Sequence, residues 1–340
     1  MKPVILYPPT IDWDYLHQRP QQLLKALSSL GCVCIFCNPN LHKQRIRGIQ
    51  YLSESIILAN EVSYDTALQW ARDSFPSTPI AAYFTYPQHI TYIAQSKVDL
   101  IIFDSVDKPV DEFAVWNTHY KYAVQNSDIR SASALSLVKR ASTYTDAPIH
   151  YIPNGCDFEH FKKAQIHQQL NGKPFSSGKS IIGYIGAIAP WVDWQLVNYM
   201  AHCLPSYEFV FIGSALLQKG ICMTNSNMHY LGHKDYSELP VYMSNFDFCL
   251  LPFKITDMTR GVNPIKFWEY LASGKPILST ALPEIPPAHV SIINEDLFPG
   301  YQPNLDVAGR ESRIELARNN SWKERAAKLL QVIYETLECG

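Results

Sequence analysis

The chain is 340 residues long, more than one hydrophobic core usually serves, so two domains are expected. Apolar residues make up 47% of it and charged residues 18%, which excludes extended disorder and allows sizeable cores. A formal net charge of -2, with no basic excess in either half, excludes the electrostatic footprint of a nucleic-acid binder.

The first strand is expected at residues 3–7, stopped by Pro8 and Pro9, so the start does not read as a signal peptide. A helix follows at 18–30, then strands at 32–37, 80–85 and 100–104, the alternation of a parallel sheet covered on both faces. Eight cysteines lie mostly inside such apolar runs and read as reduced core residues. Cys34 and Cys37 fall within or at the end of a strand, an unsuitable setting for a redox or zinc pair. The compact basic run His42-Lys43-Gln44-Arg45-Ile46-Arg47 reads as a solvated loop ahead of a surface facing anionic lipid or glycan. No apolar run approaches the roughly 20 residues of a spanning helix, so a cytoplasmic protein is expected, at most peripheral at the inner face of the membrane.

Turn residues cluster at Ile152-Pro153-Asn154-Gly155-Cys156-Asp157 and at Asn171-Gly172-Lys173-Pro174, and they mark a connection between domains. Beyond it strands are expected at 180–185, 209–212, 228–231, 248–251 and 277–280, with helices at 193–203, 236–245 and 264–273. Ser321-Trp322-Lys323-Glu324 reads as a capping box opening a last helix. The expected fold class is therefore α/β, with two doubly wound Rossmann-like domains facing a cleft, at 1–155 and 156–320, and a terminal helix at 321–340 packing back on the first.

The stretch from Thr259 to Pro276 carries the strongest chemical signal. Asn263 is expected as the N-cap, Pro264 as the first helical residue and Gly274 as the stop. Lys266 lies in the first turn, where the helix dipole disfavours a cation by about 0.3–1 kcal/mol, and Arg260 stands just ahead of it. Both positions make sense if an anion such as a diphosphate occupies the helix start. Glu269 shares a face with Lys266 and could accept hydrogen bonds from ribose hydroxyls. The plainer alternative is a solvated helix on which Lys266 and Glu269 merely pair.

On these residues the chain resembles the family 4 glycosyltransferases of the GT-B fold. Asn263-Pro264-Ile265-Lys266 through Glu269-Tyr270-Leu271-Ala272-Ser273-Gly274-Lys275-Pro276 is similar to the family's donor-binding helix, with Glu269 at the second of its paired glutamates and Gly261 at the position of the first. Pro153-Asn154-Gly155-Cys156-Asp157 with Phe161, Gly183 through Ile188, and Met228 to Gly232 with Tyr236 and Leu239 resemble further family segments in the same order. Within the family, Gly183 to Asp193 and Leu251-Pro252-Phe253-Lys254 look like bacterial teichuronic acid glycosyltransferases. The resemblance implies a nucleotide diphosphate sugar, UDP form favoured, as co-substrate rather than a bound cofactor; no metal is expected, because no DxD-like pair follows a strand in the C-terminal half and Arg260 with Lys266 can neutralise the diphosphate. The donor-binding set is then Gly186, Lys234, Arg260, Asn263, Ile265, Lys266 and Glu269, and the acceptor is a glycan or lipid-linked sugar in cell-surface polysaccharide synthesis.

Acceptor activation falls to ionisable groups near the carboxyl ends of N-terminal strands. Asp107 is preferred, with Asp104 and His17 as further candidates and His89 as a loop histidine. Asp104 and Asp107 could instead cap the following helix. A nucleotide-sugar epimerase of the same fold and a non-catalytic partner subunit stay open beside the transferase. A dehydrogenase is disfavoured, because Gly183 and Gly186 supply only GxxG.

Overall fold

The computed structural model describes residues 2–43, 45–170, 178–216, 223–298, 300–304 and 309–339. Gln44 of the basic run, the Asn171-Gly172-Lys173-Pro174 turn and Cys222 lie outside them. The chain divides into two compact units, the first made of Met1–Asn154, Gly261–Asn263 and Trp322–Gly340, the second of Gly155–Arg260 and Pro264–Ser321.

The first unit is built on an eight-stranded sheet of β1 (Val4–Tyr7), β2 (Val33–Asn38), β3 (Gly48–Tyr51), β4 (Ile56–Asn60), β5 (Ile80–Phe84), β6 (Leu100–Ser105), β7 (Ile129–Ala132) and β8 (His150–Tyr151), in the order β3-β4-β2-β1-β5-β6-β7-β8. All pairings are parallel except β3 with β4. β1 and β5 are buried at every position, as expected of strands covered on both faces. Helices α1 (Arg19–Ser29), α2 (Tyr64–Ser74), α3 (Ile90–Ile93), α4 (Asn117–Gln125) and α5 (Leu135–Ala141) follow in chain order. Chain direction along the sheet reverses between β1 and β5, so the loops after β1, β5 and β6 share its carboxyl edge.

The second unit repeats the plan with β9 (Ser180–Ile185), β10 (Tyr207–Ile212), β11 (Met228–Tyr230), β12 (Phe248–Leu251), β13 (Ile277–Ser279) and β14 (Ser291–Ile292), all parallel in the order β11-β10-β9-β12-β13-β14. Its helices are α6 (Phe158–Phe161), α7 (Trp194–Cys203), α8 (Leu239–Ser244), α9 (Ile265–Ser273) and α10 (Arg310–Arg318). Here the reversal falls between β9 and β12, and the loop after β12 runs into α9. The last helix, α11 (Trp322–Cys339), belongs to the first unit, where it packs on α1 and Lys328 donates to the Tyr151 carbonyl at 2.9 Å.

Some details differ from the sequence reading. The strands β3, β4, β8 and β14 were not anticipated, and α10 occupies a stretch without a clear pattern. The N-cap of α9 is Pro264, one residue later than expected, and it carries no capping side chain. Asn263 is drawn away because its side-chain oxygen accepts from the Asn154 amide at 3.1 Å. The stop holds, with Gly274 in the left-handed region at φ 73°. Among the described residues no helix is long and apolar enough to cross a membrane.

Candidate active site

In the second unit the loops after β9 and β12 are joined near the sheet's carboxyl edge. The Asp193 amide donates to the Pro252 carbonyl at 2.7 Å, and the Lys254 amide to the Trp191 carbonyl at 2.8 Å. Lys254 spends its ammonium on the Pro190 carbonyl at 2.9 Å, and Asp193 caps α7 by accepting from Leu196. Both are tied into the loop framework. Gly186 follows β9, and a Cβ there would stand 2.7 Å from the Tyr184 hydroxyl, so a side chain at this turn would have to displace that ring.

The loop after β12 leads to α9 through a 3-10 turn, Thr259–Gly261. Arg260 is exposed on this turn and has no ion pair or hydrogen-bonded partner for its guanidinium among the described residues. In α9 the Lys266 ammonium donates to Glu269 Oε2 at 2.6 Å and lies 6.0 Å from the centre of the Phe161 ring. The Lys266 side chain is 21% exposed, that of Glu269 fully buried. Glu269 Oε1 has no hydrogen-bond partner among the described residues. Burial raises the Glu269 carboxyl above the usual range, and Lys266 only partly offsets this.

Two unfavourable features thus coincide on one helix: a cation at the positive end of the dipole, and a buried carboxylate oxygen with nothing to accept from, a loss of about 1–3 kcal/mol. A ligand bringing an anion and hydroxyl donors would relieve both. Because Glu269 is buried, the helix is not a solvated one with a surface ion pair. Ile265 is half-buried at its first position, and Lys234, after β11, lies over the Tyr242 ring at 5.5 Å. Asn263 counts with the first unit, where Asn154 engages both its side-chain oxygen and its carbonyl.

In the first unit Asp104 and Asp107 differ sharply. Asp104 is fully buried and accepts from Arg19 Nε at 2.6 Å, Arg19 Nη2 at 3.0 Å, the Ser131 hydroxyl at 2.7 Å and the Tyr83 hydroxyl at 2.5 Å. Asp107 is partly exposed, makes no hydrogen bond or ion pair among the described residues, and is pushed up to about 6 by desolvation. Neither caps the next helical turn, whose N-cap is Val110. His17 pairs its Nε2 with the Lys25 ammonium at 3.1 Å. His89 is buried with Nδ1 unpartnered among the described residues, and burial lowers it to about 4, so it is neutral at physiological pH. Gly261 is closely packed, a Cβ there standing 3.3 Å from Lys108 Cβ and from Ser136 Oγ.

Sequence reasoning missed Asn154 as a partner of Asn263 and of Arg19, contacts that span 109 and 135 residues and leave no local signal.

The two α/β sheets, parallel throughout except for the β3–β4 pairing, and their strand orders give the GT-B fold of two Rossmann-like domains. The catalytic domain of starch synthase IV from Arabidopsis thaliana, bound to ADP and acarbose, is similar over 99% of this chain and 100% of its own, with a TM-score of 0.62 and 13% identity. An α,α-trehalose-phosphate synthase (UDP-forming) from Burkholderia xenovorans in complex with glucose-6-phosphate is similar over 98% and 100%, with a TM-score of 0.66 and 10% identity. Anabaena HepE in complex with UDP-glucose covers 99% of each chain, with a TM-score of 0.58 and 12% identity. In sequence the chain is 25% identical over 193 residues to a Bacillus subtilis (strain 168) protein named "Putative teichuronic acid biosynthesis glycosyltransferase TuaH". The match spans 51% of this chain and about half (48%) of that relative's length. No family model matches.

Proposed function

We propose that the protein is a glycosyltransferase that moves a sugar from a nucleotide diphosphate donor, UDP form favoured, to a glycan or lipid-linked acceptor in bacterial cell-surface polysaccharide synthesis. The observation that carries this is the α9 pair: Lys266 at the helix start, bound to a buried Glu269 whose second oxygen has no partner among the described residues. Arg260 and Lys266 would neutralise the diphosphate, and Glu269 would accept from the ribose hydroxyls. The tight turn at Gly186 would lie near the phosphates, and Lys234 and its loop toward the base. The fold, the complexes of its structural neighbours with ADP and UDP-glucose, and the curated relative named for teichuronic acid synthesis support the reading.

Asp107 is the catalytic group in this proposal, as general base or partner of the transferred sugar, because it alone of the two aspartates is unspent, partly exposed and close to neutral in its proton affinity. Retention of configuration and independence from metal belong to the same proposal, the first by analogy of fold and the second because two cations face the diphosphate. Cys32, Cys34, Cys37, Cys156, Cys203 and Cys249 form no disulfide among the described residues, which suits the cytoplasm. Exposed Leu41 (70%) next to the basic run and Ile46 (74%) within it make peripheral contact with anionic lipid part of the reading, checked by sedimentation with anionic vesicles.

Product analysis with UDP-sugars tests the function. Sugar transfer is expected only with an acceptor panel present. Interconversion of the donor sugar without acceptor would replace the proposal with an epimerase. Donor binding without turnover on every acceptor would favour a non-catalytic subunit, the reading that Gly261 in place of a carboxylate keeps in view.

A further inference from the structure

In the second unit the loops at the carboxyl edge of the sheet are tied into a rim, and the short helix α6, which the proposed chemistry leaves unassigned, closes it. The loop after β9 joins the loop after β10 through the Ile188 amide, which donates to the Ser214 carbonyl at 2.9 Å, and the Leu216 amide, which donates to the Ile188 carbonyl at 2.8 Å. The loop after β10 joins the loop after β11 through the Gly213 amide and the Gly232 carbonyl at 2.9 Å, and Ser214 Oγ lies 3.1 Å from His233 Nδ1. At its far end the loop after β11 turns through Asp235, whose amide donates to Glu238 at 3.2 Å, into Tyr236. There α6 meets it, with His160 Nε2 donating to the Tyr236 carbonyl at 2.8 Å.

A carbonyl oxygen only accepts, so this bond fixes which imidazole nitrogen carries the proton and how the ring lies. The imidazole also stacks on the Tyr236 ring, with centroids 4.5 Å and planes 10° apart, and Phe161 meets the same ring edge-on at 5.6 Å. Phe161 is fully buried, and its ring lies 6.0 Å from the Lys266 ammonium, within reach of a cation–π attraction. Asp157 fixes the start of α6 by accepting from the His160 amide at 3.1 Å. Two successive residues of one helical turn thus hold Tyr236 on one side and Lys266 on the other. The consequence is geometric, since a rim fixed before a ligand arrives spends none of the binding free energy on ordering itself.

We propose that His160 and Phe161 are positioning residues that set the span between the Tyr236 end of the loop after β11 and the Lys266 ammonium, so that a base and a diphosphate are held at once. The inference rests on the reading that α9 binds the donor diphosphate and that the loop after β11 lies toward the base. Every residue in it belongs to the second unit.

The test titrates the full chain calorimetrically with UDP, GDP and ADP and compares the nucleotide bound most tightly with inorganic pyrophosphate in competition. His160→Ala is expected to weaken nucleotide binding by about tenfold while pyrophosphate binding stays within about twofold of wild type, because only the nucleotide spans both ends. Lys266→Ala should weaken both ligands. If His160→Ala does not fold, His160→Gln, which keeps a donor for the Tyr236 carbonyl and loses the stack, decides by the same comparison. An equal loss of both ligands marks α6 as a support of the fold, and unaltered nucleotide binding leaves it no part in the span; either overturns the positioning role, and the donor reading stands if Lys266→Ala is weakened. A wild type that holds the nucleotide no more tightly than pyrophosphate overturns the span in the same way. No binding of any of the three nucleotides, no displacement by pyrophosphate, or unaltered binding in Lys266→Ala overturns the donor reading and the inference with it.

Discussion

Lys266 and Glu269 touch different parts of one ligand in the proposed site, so their loss should read differently in kinetics. Lys266→Ala leaves charge on the departing diphosphate less compensated and is expected to lower kcat as well as donor affinity, together by about 2–4 kcal/mol in kcat/KM. Glu269→Gln keeps the shape but loses charge-assisted bonds made equally in ground and transition states, so it should mainly raise the donor KM. Steady-state kinetics at varied donor concentration separates the two, and near wild-type values in both variants would remove the helix from the site. For Asp107, desolvation lifts the carboxyl to about 6 against 3.8 for the free group, so the folded state binds the proton more tightly than the unfolded chain. Its contribution to stability is therefore present at low pH and lost as pH rises from about 4 to about 6. Asp107→Asn should be more stable than wild type at pH 8 by about 1–2 kcal/mol, a gap that closes toward pH 4 in denaturant titrations. As a base, the same group gives kcat/KM an acidic limb centred near pH 6, absent from the residual activity of Asp107→Asn. A flat profile across that range would contradict the assignment.

The limits of α9 show how far local sequence reaches. Gly274 was legible because a left-handed residue at the end of a helix selects glycine by local sterics alone. Asn263 misled by one position because its side chain answers to Asn154, 109 residues earlier, and no local preference encodes that competition. The central strands were legible as apolar runs covered on both faces, whereas β3, partly exposed and paired antiparallel, offers a weaker pattern. α10 was illegible for a similar reason: it is mostly polar, and it is tied to α9 by buried Arg313 donating to the Gly274 carbonyl at 3.1 Å. A Cβ at position 274 would stand 2.9 Å from Ile314 Cδ1 in a backbone region that side chains avoid. Gly274→Ala should accordingly cost about 1–2 kcal/mol of stability by denaturant unfolding. An unchanged midpoint would mean that the α9–α10 junction relaxes freely.

At the scale of the whole molecule, the doubly wound class was readable from the repeat of strand and helix runs, and the chemistry of Arg260, Lys266 and Glu269 is what singles out α9 as the helix proposed to bind the donor. The preference for Asp107 over Asp104 had no decisive signal in sequence, where the two look alike; their surroundings separate them, a saturated buried network for one and, among the described residues, an unpaired position for the other. If protein cations neutralise the donor diphosphate, saturating chelator should leave turnover unchanged, and activity restored only by manganese or magnesium would contradict that. A nucleoside diphosphate is proposed to bind at the start of α9, and calorimetric titration of wild type and Lys266→Ala with UDP tests this most directly. Saturable one-to-one binding is expected, weakened by at least tenfold in the variant, in proportion to the charge removed. Absence of saturable binding by the wild type, or the same affinity in both proteins, would contradict it.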